Sequence, residues 1–390
     1  MLEAYSRAWI EIDYDAIAHN VKEIQKLIGK TKIMGIVKAN AYGHGDVECT
    51  RALIKSGVDL FGTSSVDEAV HLRKNGIEQD ILILGYTPPE HFHYLVEENL
   101  IQTLCSYDYA CKLNAYASEN DVTVRAHVKV DTGMNRIGVK YQKEEKHMDQ
   151  ILAEYRLSNV HAEGIFSHFP VSDELDTDSL SFTKQQISLF KEVLENLKKE
   201  GIDPGLKHIQ NSYGILNYMD LGMDYCRPGL LYMGVTSDDT IDILSKPDFI
   251  PILSLYANVS MVKTIEPGMT VSYGRHFTAQ KPMKVATLAI GYADGVPRIL
   301  SNKGFEVLIH GKRCRQIGNI CMDQFMVDVT ELEDVKEGDV ACLIGVQSGQ
   351  RVTVDTISRM AHTINNETLS AFAARLPRLQ KRGNDEKKEL

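Results

Sequence analysis

The 390-residue sequence lacks several features that would place it in large protein classes. No apolar run approaches the roughly 18 residues of a membrane-spanning helix, and the N-terminal stretch "MLEAYSRAWIEIDYD" carries charges where a signal peptide needs an apolar core. Basic residues are not in excess: the net charge of −10 argues against nucleic acid or an anionic membrane as a partner. The seven cysteines are odd in number and form no CxxC pair, which disfavours a disulfide framework or a zinc site. These absences predict a cytoplasmic protein without a bound metal.

Short apolar runs recur between residue 30 and about residue 235. There are eight of them: "KIMGIVKA", "LFGTSS", "DILILGY", "IQTLCS", "VRAHVKVD", "VHAEGIFSHF", "KHIQNS" and "CRPGLLYMG". Amphipathic stretches with helical spacing lie between most of them, and residues 15–28 and 182–197 are examples. The alternation predicts an α/β protein built on a (β/α)8 TIM barrel. A doubly wound open sheet is the alternative, but it usually has fewer strands.

The pattern changes after about residue 240. Stretches such as "MKVATLAIGYADG" and "GDVACLIG" predict strands joined by turns, with a helix only from about Asp355. We therefore expect residues 1–240 to form the barrel and residues 241–390 a mostly β domain with a C-terminal helix. The boundary is expected near "TSDDTIDILSKPDF", and the interpretation leaves open whether residues 1–14 pack with the second domain.

Lys38 lies at the end of the first apolar run. In barrel enzymes the catalytic residues lie at the C-terminal ends of the strands. From position alone, a strand-end lysine that reaches solvent is the ordinary interpretation. However, Tyr42 adds a hydroxyl group, and Gly43 and Gly45 allow the backbone to approach a ligand. A lysine in a pocket of low dielectric loses its proton more easily and can then attack an aldehyde.

Polar residues follow the seventh and eighth apolar runs. Asn211 and Ser212 come after the seventh, and Arg227 and Gly229 lie near the eighth. Barrels favour these two loops for phosphate binding. A reactive lysine facing a phosphate pocket meets the needs of pyridoxal 5′-phosphate, which has an aldehyde and a phosphate.

Motifs along nearly the whole chain resemble those of the alanine racemase family. They are "VKANAYGHG", "KVDTGMNRIG", "FSHF", "HIQNSYG", "RPGLLYMG", "VSYG", "IGYADG" and "ICMDQFMVDV", in the family's order. The resemblance implies interconversion of L- and D-alanine by a two-base mechanism with pyridoxal phosphate, supplying D-alanine for peptidoglycan. It also implies a homodimer in which the second domain of one subunit completes the barrel site of the other.

The two implied bases are Lys38 and Tyr273. By resemblance, Lys38 holds the cofactor as a Schiff base and becomes a base once the substrate amine frees it. Tyr273 serves the opposite face; because tyrosine titrates near ~10 in water, it needs a positively polarised neighbour such as His168 or Arg227. Arg227 is implied to donate to the pyridine nitrogen without protonating it, which weakens the ring as an electron sink and suppresses side reactions.

The resemblance also implies the roles of other residues. It assigns Tyr42, His168, Asn211, Ser212, Gly229 and Asn366 to cofactor binding, and Arg136, Tyr292, Met322 and Asp323 to the substrate. Lys129 matches a lysine that is carbamylated in many family members. A carbamate would orient Arg136, whereas unmodified Lys129 beside Arg136 would bury two positive charges, which is costly.

Asn366 departs from the family pattern. The family commonly has a tyrosine here that reaches the cofactor phosphate, but this chain reads "TINNET". An asparagine leaves more room and a polar lining beside the substrate side chain, and some serine-racemising relatives carry it. A serine racemase, or an amino-acid racemase of broader specificity, therefore stays open as an alternative.

Three other classes compete with a racemase. A barrel-type decarboxylase of basic amino acids would need an acid at the pyridine nitrogen, where "CRPG" supplies Arg227. Non-catalytic pyridoxal phosphate carriers are single barrels, whereas a second domain is expected here. A binding protein that has lost activity is disfavoured by the presence of both Lys38 and Tyr273.

Overall fold

The computed structural model describes residues 7–245 and 247–381, so the expectation for residues 1–6 lies outside the described part. The chain forms two compact units. The barrel unit comprises Ile17–Ala41 and Asp46–Ile250. The β unit comprises Tyr42–Gly45 and the described residues of Met1–Ala16 and Pro251–Leu390. The first strand, β1 (Ala8–Ile12), belongs to the β unit.

The barrel unit contains parallel strands that alternate with helices. Its strands are β2 (Lys32–Ile36), β3 (Leu60–Thr63), β4 (Asp80–Ile83), β5 (Ile101–Leu104), β6 (Val124–Asp131), β7 (Val139–Lys140), β8 (Val160–Phe166), β9 (Leu206–His208) and β10 (Tyr225–Cys226). Eight of them run in the order β5-β4-β3-β2-β10-β9-β8-β6, and β5 also pairs with β6, which closes the barrel. The short β7 adds to the outside of β6. The prediction of a (β/α)8 barrel is confirmed.

Helices separate the barrel strands. They are α1 (Tyr14–Ile28), α2 (Lys38–Tyr42), α3 (Asp46–Lys55), α4 (Val66–Lys74), α5 (Phe92–Glu97), α6 (Tyr107–Glu119), α7 (Met148–Tyr155), α8 (Thr177–Lys199) and α9 (Ser212–Tyr218). All residues of β3 and β5 are buried, as expected for parallel strands covered on both faces. Ser65 caps α4 by accepting a hydrogen bond from the Glu68 backbone N–H. None of the described helices is long and apolar enough to cross a membrane.

The β unit is built on antiparallel pairing. Its strands after β1 are β11 (Leu253–Ile265), β12 (Thr270–Val271), β13 (Phe277–Thr278), β14 (Met283–Leu288), β15 (Glu306–Ile309), β16 (Lys312–Ile317), β17 (Phe325–Asp328), β18 (Val340–Gln347), β19 (Gln350–Val352) and β20 (Arg378–Gln380). The 13-residue β11 pairs with β1 and β18 through its first half and with β14 through its second. Two helices follow, α10 (Val354–Ala361) and α11 (Asn365–Ser370). The prediction of a mostly β C-terminal domain is confirmed.

Candidate active site

Lys38 opens a turn of unusual backbone directly after β2. Ala39 and Asn40 have φ of 53°, and Ala41 has φ of 49°, all in the left-handed region. Each such residue other than glycine costs roughly 1–2 kcal/mol, so surrounding contacts must stabilise the turn. Glu68 supplies one, because its Oε1 accepts from the Ala39 N–H at 2.7 Å. The turn therefore fixes the backbone position of Lys38 at the end of the barrel strand.

The electrostatic surroundings of Lys38 shift its titration toward the neutral amine. Burial lowers the pKa of Lys38, and the positive charge of Arg136 lowers it further. The carboxylate of Glu68 acts in the opposite direction but is the weakest of the three effects. A lysine with a lowered pKa is a better nucleophile toward an aldehyde.

Arg227 is buried among hydrogen-bond acceptors in the barrel unit. Its Nη2 donates to the carbonyl oxygens of Ser167 at 2.6 Å and Ile209 at 3.0 Å, and lies 3.1 Å from His168 Nδ1. Its Nη1 lies 2.6 Å from His208 Nδ1. The Nε takes part in none of these contacts. Burial lowers the pKa of Arg227 to about 9, so the guanidinium remains protonated at neutral pH.

Two further histidines continue the Arg227 network. His208 and His127 are fully buried, and the Nε2 of His208 lies 2.9 Å from His127 Nδ1. Burial lowers the pKa of His127 to about 3 and that of His208 well below its usual value. Both rings are therefore neutral. Neither histidine was predicted from the sequence, although His127 shares β6 with the predicted Lys129 and His208 ends β9, which leads to Asn211 and Ser212.

Lys129 lies on β6 and is almost fully buried. Its Nζ donates to the carbonyl oxygen of Val130 at 2.8 Å and lies 5.3 Å from the centre of the Phe166 ring. Burial, followed by the charge of Arg227, lowers the pKa of Lys129 to about 7. Near neutral pH a large fraction of this amine is uncharged, which is the form that reacts with CO₂.

The loop after β6 carries Arg136, whose side chain is exposed. Asp131 organises this loop because its Oδ1 accepts from the N–H groups of Gly133 at 3.0 Å and Asn135 at 3.1 Å. The charge of Arg136 contributes to the lowered pKa values of Lys38 and Lys129, so its guanidinium influences both amines.

The loops after β9 and β10 meet through a hydrogen bond between backbone and side chain. The N–H of Gly229 donates to Ser212 Oγ at 3.1 Å. Asn211 is the N-cap of α9: its Oδ1 accepts from the Gly214 N–H, and its Nδ2 donates to the Phe169 carbonyl oxygen. The same Oδ1 accepts from the Ser172 hydroxyl group. Both amide atoms of Asn211 are thus engaged in shaping the loop, while Ser212 beside it is half-buried and Gly229 is buried.

Tyr273 lies in the β unit with 71% of its side chain exposed. It begins a single turn, Tyr273–Arg275, and its carbonyl oxygen accepts from Asn319 Nδ2 at 2.7 Å. It lines an open cavity of about 500 Å³ together with Ser272 and the 321–324 turn, which includes Met322 and Asp323. Three predicted residues therefore share one cavity.

Tyr292, Asn366 and Tyr42 also belong to the β unit. Tyr292 contacts the 321–324 turn through its backbone, because its N–H donates to the Cys321 carbonyl oxygen at 3.0 Å. Asn366 lies on α11, and its Oδ1 is buried without a hydrogen-bond partner among the described residues. Tyr42 ends the left-handed turn that Lys38 begins.

The donor set of the barrel unit fits pyridoxal phosphate. A lysine with a lowered pKa matches the aldehyde, and the half-buried Ser212, whose oxygen accepts from the Gly229 N–H, offers its hydroxyl hydrogen to a phosphate. The Nε of Arg227 is suitable for donation to a ring nitrogen. Among the described residues, no group of three histidine, cysteine or acidic side chains could hold a metal ion.

Comparison with known proteins places this geometry in a family. The family profile "Alanine racemase, N-terminal domain" matches residues 12–237, and "Alanine racemase, C-terminal domain" matches residues 252–380. The chain belongs to the alanine racemase family. Alanine racemase 2 of Caldanaerobacter subterraneus subsp. tengcongensis is 40% identical over 95% of this chain and 94% of its own length.

Two further relatives of this family extend the comparison. The solved structure of alanine racemase from Clostridium difficile superposes with a TM-score of 0.90 at 34% identity, covering 98% of this chain and 97% of that one. An "amino-acid racemase" of Enterococcus faecalis is 40% identical over 95% of this chain, which spans 51% of that protein. Similarity within the family is therefore not confined to proteins named for alanine.

Proposed function

We propose that this protein interconverts L- and D-alanine with pyridoxal phosphate and supplies D-alanine for peptidoglycan in the cytoplasm. The proposal rests on the position of Lys38 at the end of a barrel strand and on its lowered pKa. It is supported by the match of the chain to the alanine racemase family along nearly its whole length. When bound, the cofactor supplies an electron-withdrawing ring that makes the α-hydrogen of the substrate acidic. The protein must then move one proton between the two faces of the α-carbon.

Lys38 and Tyr273 are the proposed bases for these two faces. Lys38 holds the cofactor covalently, and its freed amine takes or returns a proton on one face. Tyr273 takes or returns a proton on the other. Its large exposed surface in the β unit leaves the hydroxyl group accessible to a second subunit.

Arg227 is proposed to donate its Nε–H to the ring nitrogen of the cofactor. Its terminal nitrogens are already bound to His208, Ser167 and Ile209, which orients the guanidinium. Because the guanidinium retains its proton, the ring nitrogen receives a hydrogen bond but no proton. This arrangement favours reprotonation of the α-carbon over transamination and decarboxylation.

The remaining cofactor contacts divide into direct and supporting ones. We propose that Ser212 and the backbone at Gly229 bind the phosphate, with Tyr42 and His168 as further contacts. Asn211 contributes by capping α9, since both of its amide atoms bind within the protein. Asn366 is proposed to stand near the phosphate and the substrate side chain.

Arg136 is proposed to bind the substrate carboxylate, with Tyr292, Met322 and Asp323 of the β unit completing the substrate pocket. Lys129 is proposed to be carbamylated. In that reaction the neutral Nζ attacks the carbon of CO₂ and one of its protons passes to solvent, which converts a neutral amine into an anionic carbamate. The anion attracts the guanidinium of Arg136 and removes the repulsion between that guanidinium and a protonated Lys129.

The proposed active form is a homodimer in which Tyr273, Tyr292 and Met322 act on the barrel site of the partner subunit. Mixing two impaired variants tests this arrangement. The Lys38→Ala protein should be inactive and the Tyr273→Phe protein should be slow, and subunit exchange between them should raise the activity above that of either variant, because one of the two hybrid sites is intact. If mixed dimers form and the activity does not rise, the arrangement in trans is wrong.

Lys38→Ala alone tests the chemistry of the site. The variant should lose the absorbance of lysine-bound pyridoxal phosphate and should lose racemisation. A cofactor that borohydride can still fix covalently to the variant would show that another residue carries it. Racemase assays on alanine, serine and a basic amino acid with the unmodified protein test the activity itself.

A second function, racemisation of serine, is favoured by one observation. The buried Oδ1 of Asn366 has no hydrogen-bond partner among the described residues. A buried acceptor without a partner costs about 1–3 kcal/mol, which a hydroxyl donor on the substrate would offset. The similarity to an "amino-acid racemase" also favours a substrate range that extends beyond alanine. We keep alanine as the primary substrate because the other pocket residues match the alanine pattern.

A further inference from the structure

Asp294 is a fully buried carboxylate in the β unit that the proposed mechanism does not use. Its Oδ1 accepts from Arg7 Nη2 at 2.6 Å and from Arg375 Nε at 2.7 Å. Its Oδ2 accepts from Arg7 Nη1 at 3.0 Å and from the Gly291 N–H at 2.8 Å. The carboxylate is thus saturated with donors, and two of its partners are guanidinium groups.

The same two arginines reach Asp323, which lines the cavity beside Tyr273. Arg375 Nη2 donates to Asp323 Oδ1 at 2.8 Å, and Arg7 Nη1 donates to the Asp323 carbonyl oxygen at 3.3 Å. Two carboxylates and two guanidinium groups therefore form a cluster without net charge, which we call the Asp294 cluster. Asp294 lies at its buried end and Asp323 at its exposed end.

The Asp294 cluster also joins two backbone segments that carry the proposed substrate contacts. Asp294 binds the first residue of the 291–294 loop, which contains Tyr292. That loop donates to the 321–324 turn twice, from the Tyr292 N–H to the Cys321 carbonyl oxygen and from the Ala293 N–H to the Met322 carbonyl oxygen, each at 3.0 Å. The backbone of Met322 and Asp323 is therefore fixed both by the loop and by the arginines.

Tyr273 is held in the same cavity by different bonds. Asn319 Nδ2 donates to its carbonyl oxygen at 2.7 Å, and Ser272 Oγ donates to the Asn319 carbonyl oxygen at 2.5 Å. None of these atoms belongs to the Asp294 cluster. The cavity thus has one set of contacts for the proposed base and another for the proposed substrate contacts, and the two meet at Cys321, whose Sγ lies 3.3 Å from Ser272 Oγ.

We propose that Asp294 is a positioning residue for substrate affinity. It sets the position of Asp323 through Arg7 and Arg375 and that of Met322 through the 291–294 loop, and it does not act on proton transfer by Tyr273. The proposal rests on the proposed function, since it concerns binding of the racemase substrate. It assigns to this side chain a role that is separable, by measurement, from that of the base.

The kinetic constants of two variants, Asp294→Asn and Asn319→Ala, distinguish the contacts of the substrate residues from those of Tyr273. Asp294→Asn removes the charge that orients both arginines but keeps the shape of the side chain. We expect it to raise KM for alanine by about 10-fold with kcat within about 2-fold, the pattern of lost uniform binding. Asn319→Ala removes the support of Tyr273 and should lower kcat with little change in KM. Asp328→Asn, the same substitution at a carboxylate outside the cluster, should change neither constant.

Binding measured without turnover provides a second readout. The inhibition constant of propionate, a carboxylate that has no amino group to react, should rise with Asp294→Asn in proportion to KM. Arg375→Lys keeps a positive charge beside Asp294 but loses the guanidinium group that binds Asp294 and Asp323 at the same time. It should therefore raise KM by a smaller factor than Asp294→Asn does. This variant also tests the proposal if Asp294→Asn does not fold.

The outcomes distinguish this proposal from the proposed function. An unmodified protein without racemase activity would contradict the proposed function. If the unmodified protein is active and KM and the propionate constant stay unchanged in folded Asp294→Asn or Arg375→Lys protein, the positioning role of Asp294 is wrong. A fall in kcat alone, matched by a fall in melting temperature, would show a purely structural role and would also overturn the proposal.

Discussion

Arg227 Nη1 lies 2.6 Å from His208 Nδ1, and this contact determines the protonation of two buried histidines. A guanidinium can only donate, so His208 Nδ1 must accept and the ring proton lies on Nε2. That Nε2–H then donates to His127 Nδ1, 2.9 Å away, which leaves the proton of His127 on its Nε2. His127 Nε2 has no partner among the described residues, so the series of hydrogen bonds that begins at Arg227 ends at this atom.

Loss of the His208 acceptor should weaken catalysis by releasing Arg227. Hydrogen bonds to charged groups contribute about 1.5–3 kcal/mol, so His208→Leu should lower kcat by roughly 10- to 100-fold. Steady-state rates at saturating alanine and cofactor measure the effect. His161→Leu is the matched control, because His161 lies exposed on β8. A kcat within about 2-fold of the unmodified value would show that Arg227 does not need this partner.

Tyr273→Phe should separate the two faces of the α-carbon. Net racemisation should slow in both directions, as the equilibrium requires, but exchange of the α-hydrogen with solvent should persist for the enantiomer that Lys38 serves. Nuclear magnetic resonance in deuterated water measures exchange for each enantiomer. Tyr86→Phe, at another exposed tyrosine, should leave both exchange rates unchanged. Equal loss of exchange from L- and D-alanine in the Tyr273 variant would contradict two bases.

Lys129 should carry a carbamate at neutral and higher pH. Its pKa is lowered to about 7, and the neutral fraction of the amine therefore grows as the pH rises through that value. After exchange with ¹³C-bicarbonate, a carbamate carbon should be visible by nuclear magnetic resonance at pH 8 and should weaken toward pH 6. Lys129→Ala should abolish the signal. A signal that survives this substitution would come from another amine.

Asn366→Tyr should shift the substrate preference toward alanine. A tyrosine would crowd the space that an asparagine leaves for a hydroxymethyl side chain and would remove the unpaired acceptor. We expect the ratio of kcat/KM for L-serine to that for L-alanine to fall about 10-fold, equivalent to about 1.4 kcal/mol in the barrier. Asn365→Ala, at the neighbouring buried asparagine, controls for disturbance of α11. An unchanged ratio would limit Asn366 to a role at the phosphate.

Glu154→Gln should change how stability depends on pH. Glu154 on α7 is fully buried, neither carboxyl oxygen has a partner among the described residues, and burial raises its pKa well above the usual value. The folded protein therefore keeps a proton that the unfolded chain loses above about pH 4.3. Stability should fall as the pH rises from there to the folded pKa, by up to about 1.4 kcal/mol per pH unit.

The variant cannot titrate at this position, so its stability relative to the unmodified protein should improve as the pH rises. Urea unfolding of both proteins at pH 5 and pH 8 measures the difference. Glu119→Gln, an exposed glutamate on α6, should show no such trend. A constant difference between the two pH values would mean that Glu154 is ionised in the folded protein.

Local pattern was enough to predict the barrel and to mark Lys38 as a candidate, and the resemblance to a family supplied the proposed role of this lysine. The barrel strands are short and mainly apolar, and β3 and β5 are buried along their whole length, so the signal of each lies within a few neighbouring residues. Lys38 is a candidate because it closely follows such a run, and the loops after β9 and β10 are candidates because barrels favour phosphate binding there. These features depend on order along the chain, which the sequence contains.

Only the tertiary structure decided which side chains support the site. His127 and His208 are separated by 81 residues, and Arg7 and Asp294 by 287, yet each pair is in hydrogen-bond contact. The periodicity of the sequence does not predict such contacts, because these residues come together only when strands that are distant along the chain pair in one sheet. The sequence by itself determined where the reactive groups stand along the chain. The folded structure determined their partners, their protonation and hence their chemistry, since burial and contact depend on residues that are remote in sequence.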